Sequence, residues 1–259
     1  MELNFSTNHA AVDEMIRGLI ELYEMRFPER IRGYYVSGSF ANGNAVASSD
    51  LDGTVLFKGR YQDDAEAAQA NKLTEACARL MPIDNDFWPE AEADYTFWAR
   101  PNLHFDSQLI WGEDGRSHVY LPQPADYARL VAHRVHYFLA RIRGVEQLRY
   151  PLQPPNAVDP YLGYTIRTIF LPNGEEVPGT KALINCIGKP AHLIASLKTG
   201  DYIANKQATL TAYRTHINDE WLPLLDAVYE TCREAWGYHV PKTVVAQQTL
   251  RNLCEQTLA

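Results

Sequence analysis

Asp50 and Asp52 are the residues whose type and spacing point most directly to chemistry. Thr54 to Phe57 reads as a strand that begins at this pair. Residues two apart on a strand share a face, so the two carboxylates stand side by side. Two like charges that close are unfavourable unless a cation sits between them. Mg²⁺ is the expected ion, because hard cations take oxygen ligands and are held by one or two carboxylates together with substrate phosphates. Gly38 and Ser39, about a dozen residues earlier, supply the complementary half. Gly38 lets the backbone approach a ligand closely. Ser39 offers a hydroxyl donor, and a helix starting at Phe40 to Asn42 would aim free N–H groups at an anion.

Positioning these groups requires two strands and a turn. Tyr34 to Val36 is a short apolar run that reads as a buried strand. Gly38-Ser39 breaks it, and the chain returns through Asp50-Leu51-Asp52 into the second strand. Gly53, directly after the second Asp, is unusual there, since Gly weakens a strand interior. His9 to Tyr23 and Asp63 to Met81 carry helical apolar stripes, and Pro82 stops the latter. Tyr95 to Trp98 is expected as the third strand, with Asp94 at its start. Asp94 is therefore expected as the third acid, in preference to Glu90, Glu92 and Asp106. Glu90 and Glu92 sit beside Pro89, and Asp106 lies in the separate piece Leu103 to Trp111. The order helix, strand, turn, strand, helix, strand suits an α+β fold, a small mixed sheet with helices on one side.

Ala125 to Ile142 is a further helix, whose His and Arg residues, Arg134 among them, read as a solvated face. Four prolines in Tyr150 to Pro160 mark an interdomain connection. The expected domains are 1–149, with the sheet, and 150–259, a helical bundle closing the active-site cleft. Lys181 to Lys198, Asn205 to Thr215, Asn218 to Trp236 and Thr243 to Leu258 are its helices, with a break or kink expected at Pro190. The five tryptophans, Trp88, Trp98, Trp111, Trp221 and Trp236, read mainly as core.

A net charge of −8 argues against a general nucleic-acid binder, which would present a basic face. It favours a cationic small substrate. Cys77, Cys186, Cys232 and Cys254 lack metal spacing and read as reduced structural residues of a cytoplasmic protein. No apolar stretch reaches 18 residues, so no membrane span is expected. His104 and His118 lie near Asp106 without zinc spacing.

Gly38-Ser39 followed by Asp50-Leu51-Asp52 resembles the signature of the polymerase-β-type nucleotidyltransferase superfamily. The whole layout resembles the aminoglycoside nucleotidyltransferases, especially the streptomycin/spectinomycin adenylyltransferase type. Asp94-Tyr-Thr-Phe matches that family's acidic residue opening the next strand. Leu197 to Lys206 resembles its Thr-Gly…Lys segment, and His192 stands where an arginine is common. The resemblance implies Mg²⁺ and ATP as cofactor and donor. Asp50, Asp52 and Asp94 would be the catalytic and metal-binding acids. Gly38, Ser39, Ser49 and Lys206 would contact the nucleotide. It implies transfer of AMP to a hydroxyl of a small, cationic, aminoglycoside-type acceptor, with pyrophosphate released. A protein or RNA acceptor, or nucleotide binding without turnover, are the alternatives.

Overall fold

The computed structural model describes residues 1–81, 83–96, 99–171 and 174–258. After helix α1 (Ala10–Arg26), strand β1 (Ile31–Ser37) carries Tyr34, Tyr35 and Val36, all fully buried on alternating faces. A strand apolar on both faces belongs inside a sheet. β1 accordingly lies between β2 (Leu51–Phe57) and β4 (Ser107–Gly112), antiparallel to both. A short helix, α2 (Gly38–Ala41), separates β1 from β2. Helix α3 (Asp64–Leu80) leads to β3 (Asn85–Ala91), which pairs parallel with β2. Helix α4 (Arg100–Phe105) precedes β4, and the sheet order is β3-β2-β1-β4.

One face of this sheet holds Tyr34, Val36, Val55, Phe57, Phe87 and Ile110 against the apolar stripes of α1 and α3. The Tyr23 hydroxyl on α1 donates to the Ala70 carbonyl of α3 at 2.9 Å, tying the two helices together. The other face carries a smaller cluster of Tyr35, Leu56, Tyr95, Leu103 and Val119. Each fully buried large side chain contributes roughly 1.5–3 kcal/mol through the area it removes from water.

The third strand is not where the sequence suggests. It runs over Asn85–Ala91, and Tyr95 and Thr96 follow a turn instead. Phe97 and Trp98 lie outside the described residues. Tyr95 owes its apolar character to the second cluster, where its hydroxyl lies 3.1 Å from Thr54 Oγ1. The true strand is masked by Pro89, which a central strand excludes but an edge strand tolerates. β3 is an edge, and Pro89 pairs with Val55 there.

The same pairing explains Gly53. It lies opposite Phe87, and a Cβ built on it would come within 2.3 Å of that ring. We expect Gly53→Val to lower the denaturant midpoint by an overpacking penalty of about 1–3 kcal/mol. In a Phe87→Ala background the added penalty should shrink. An equal penalty in both backgrounds would contradict this packing.

The first compact unit is Met1–Pro122; the second combines Gln123–Leu171 with the chain from Glu175. The second unit thus starts ahead of the proline-rich segment. The reason is that helix α5 (Pro124–Ile142) packs on α6 (Lys181–Thr199). A hairpin of β5 (Thr168–Phe170) and β6 (Glu176–Pro178) lies between them in the chain. Helix α7 (Lys206–His216) also packs on α6, followed by α8 (Leu222–Ala227) and α9 (Val244–Gln256). Pro190 does not end α6, which continues through it. Asn218 adopts a positive φ, and the helix expected from there starts later, as α8 at Leu222, and runs on into π-helical turns over Val228–Ala235. All four cysteines are free and buried. Among the described residues no helix is long and apolar enough to cross a membrane.

Candidate metal and nucleotide site

Strand directions gather the polar residues at one end of the sheet. β1 ends where β2, β3 and β4 begin, because β1 is antiparallel to β2 and β4 while β3 runs with β2. Gly38 follows β1, Asp50 precedes β2, Asp52 is its second residue and Asp86 is the second residue of β3. Asp52 and Asp86 are direct register partners. Paired residues of neighbouring strands project to the same face.

Asp50, Asp52 and Asp86 each offer a carboxylate oxygen, and these atoms all lie within 4.8 Å of one another. All three are half-buried. Three anionic groups this close repel one another, and a divalent cation relieves that repulsion. An all-oxygen donor set of this kind suits a hard ion such as Mg²⁺.

The turn beside the acids is built by Gly38. Its φ of 66° is the left-handed region, and a Cβ on it would stand 2.7 Å from Asp52 Oδ2. The backbone of the turn therefore comes up against the second acid. Asp106, 5% exposed, holds the turn from β4's side. Its carbonyl accepts from Gly38 N–H at 3.3 Å and its Oδ1 from Asn42 Nδ2 at 2.6 Å. We expect Gly38→Ala to cost about 1–2 kcal/mol of stability through the left-handed backbone. It should cost proportionally more in metal affinity, since the new methyl displaces the Asp52 carboxylate. Metal affinity equal to that of the native protein would contradict this contact.

Glu92 and Glu90 are bound into the fold. Glu92 pairs with Arg32 at 2.8 Å and accepts from Gly59 N–H at 2.6 Å. Burial works to raise its pKa, but these partners hold it below the usual carboxylate range. Glu90 is pushed up by burial and accepts from Thr96 Oγ1 at 2.6 Å. Asp94 is exposed in the turn after β3, with its N–H donating to Ala91 O at 3.0 Å. The strand alone separates Asp86 from Ala91 by about 16 Å at the usual rise per residue. Asp94 thus lies past the far end of β3, and Asp86 takes the place beside Asp50 and Asp52. A sequence signal for Asp86 exists: Asp84-Asn85-Asp86 repeats the Asp-x-Asp spacing of Asp50 and Asp52.

No family model matches the chain, and no curated protein matches it by sequence. Solved structures do. A spectinomycin adenyltransferase, AAD(9), from Enterococcus faecialis, determined with ATP and spectinomycin, aligns over 93% of this chain and 98% of its own, with 12% identity and a TM-score of 0.55. This chain shares the fold of that adenyltransferase. A toxin-antitoxin structure with AMP-PNP aligns more loosely, over 50% of this chain and 91% of its own, at 17% identity and a TM-score of 0.31.

The other expected ligand residues fall as follows. Ser39 is half-buried in α2, one residue past Gly38. Ser49 is 3% exposed, and its hydroxyl accepts from Val46 N–H at 2.9 Å, so it shapes the loop that delivers Asp50. Lys206 opens α7 in the second unit. Its Nζ donates to the Tyr238 hydroxyl at 3.4 Å and lies 5.6 Å from the centre of that ring.

Proposed function

We propose that this protein is a Mg²⁺-dependent nucleotidyltransferase that moves AMP from ATP to a hydroxyl of an aminoglycoside-type antibiotic. The observation that carries the reading is the convergence of Asp50, Asp52 and Asp86 beside the Gly38 turn. The fold shared with an adenyltransferase supports it.

Asp50, Asp52 and Asp86 would hold the metal, which when bound neutralises phosphate charge and steadies the attacking and leaving oxygens. Ser39 and the Gly38 turn meet the phosphates and orient the donor. The acceptor oxygen attacks the α-phosphorus, the bond to the β-bridging oxygen breaks, and pyrophosphate departs. Asp86 accepts the hydroxyl proton as the bond forms. It sits on the edge strand, where an acceptor can reach it from the open side. Lys206 balances the negative charge of the donor as a point charge. The acceptor is a small polyol carrying ammonium groups, which the net charge of −8 attracts.

Pyrophosphate release with ATP, GTP, CTP and UTP against a panel of aminoglycosides, lincosamides and small alcohols tests this. The expected result is release with ATP and an aminoglycoside or aminocyclitol only, with the acceptor gaining the mass of an adenylyl group. Release that needs an RNA or protein acceptor, or nucleotide binding with no release for any acceptor, would overturn it.

A further inference from the structure

The two faces of β3 meet different surroundings. Asn85, Phe87, Pro89 and Ala91 are buried, and Phe87 and Ala91 join the cluster under α1 and α3. Asp86, Trp88 and Glu90 alternate with them and so project to the other face, the face of the metal acids. Trp88 is 56% exposed there, so its ring is not core. Its register partner on β2 is Thr54, which is buried with its hydroxyl 3.1 Å from that of Tyr95. The neighbouring strand is thus covered at this level, while the Trp88 ring stays open at the sheet edge.

Glu90, two residues on, is half-buried. Its hydrogen-bond partner is the neutral Thr96 hydroxyl at 2.6 Å, whereas Glu92 is tied to the Arg32 guanidinium. Burial pushes the Glu90 carboxyl up, against the pull of Thr96 and, through space, Arg100. A cation placed beside it would favour its charged form. From Asp86 to Glu90 is about 13 Å at the usual rise per residue, with the Trp88 ring midway. An aromatic face flanked by carboxylates suits a saturated ring that carries ammonium groups, because the negative face of the aromatic ring attracts cations. Trp88 is also on the side away from the donor's phosphates. Those are assigned to the Gly38 turn between β1 and β2, and β3 lies beyond β2.

We propose that Trp88 and Glu90 determine acceptor specificity: the Trp88 ring carries the acceptor's saturated ring and Glu90 takes one of its ammonium groups. The class this selects is an aminocyclitol or amino sugar, as opposed to a neutral polyol. Placing the reacting hydroxyl at Asp86 rests on the transfer reaction proposed above; binding of an ammonium-bearing ring at Trp88 and Glu90 does not.

Titration of 2-deoxystreptamine into the full chain, followed by saturation-transfer nuclear magnetic resonance, reads the site without turnover. The native protein should bind it and should bind myo-inositol, its neutral counterpart, at least about tenfold more weakly. Trp88→Ala and Glu90→Gln should each weaken 2-deoxystreptamine by about tenfold, the worth of one cation–ring contact or one charge-assisted hydrogen bond. Trp88→Phe should restore much of the loss, and Asp94→Asn, in the exposed turn after β3, should change nothing. ATP affinity, measured by calorimetry, should be the same in all four variants. Unchanged melting temperatures show that they are folded, as expected for an exposed ring and for an amide that still accepts from Thr96. Equal binding of myo-inositol, unaltered 2-deoxystreptamine affinity in Trp88→Ala and Glu90→Gln, or a loss of ATP affinity in Trp88→Ala would each overturn the proposal. Should AMP transfer be absent while both variants still lose 2-deoxystreptamine, the reaction fails and the subsite stands. Should transfer occur with an unchanged KM for the acceptor in both variants, the reaction stands and the subsite fails.

Discussion

Asp52→Asn should leave a folded protein whose AMP transfer falls by at least about 10²–10³-fold, the range seen when one electrostatic stabiliser of a transition state is removed. Asp50→Asn should behave alike. Both carboxylates sit within 4.8 Å of Asp86 through one oxygen each, so each amide removes a charge from the same cluster. Folding is spared because the strand is secured elsewhere. Leu51, Val55 and Phe57 bury the opposite face, and the β2 ladder to β1 and β3 does not use these side chains. The amides even relieve like-charge repulsion, so the melting temperature in the absence of metal should hold or rise. Transfer measured by pyrophosphate release, together with that melting temperature, checks both halves. Near-native turnover in either variant at ordinary Mg²⁺ would remove the pair from the chemistry.

Asp86→Asn should lower kcat by about 10²–10⁴-fold, the usual contribution of a positioned proton acceptor. Asp94→Asn should leave kcat near the native value. The contrast follows from strand direction. Asp86 is the register partner of Asp52 at the start of β3, whereas Asp94 follows the turn beyond its end. Asp86→Asn also removes a metal ligand, so part of its loss should be recovered by raising Mg²⁺. A proton acceptor alone would not respond in that way. Loss in Asp94→Asn with full activity in Asp86→Asn would reverse the assignment.

These two residues also show what was legible in the chain. The Gly38–Ser39 turn and the Asp50–Asp52 pair were readable because their meaning is local: a strand, a break, and carboxylates two apart. The α+β class was readable for the same reason, as were α1, α3 and α5, whose apolar stripes are strong. Asp86 was harder to find because the signal for its strand is tertiary. Pro89 reads as a breaker until β3 is known to be an edge, and Tyr95 reads as strand until its ring is seen filling the space beside Thr54. Gly53 likewise has no sequence explanation; its reason is the ring of Phe87, from a strand more than thirty residues away. The continuity of α6 through Pro190 depends on helices that meet only after folding.

The proposed transfer requires a divalent ion held by Asp50, Asp52 and Asp86, and binding of Mn²⁺ as a paramagnetic stand-in for Mg²⁺ tests that most directly. Titration followed by electron paramagnetic resonance, with and without ATP, should show binding by the native protein that tightens with nucleotide. It should be lost or strongly weakened in Asp52→Asn and Asp86→Asn and retained in Asp94→Asn. Mn²⁺ binding that survives in Asp86→Asn and disappears in Asp94→Asn would contradict the account.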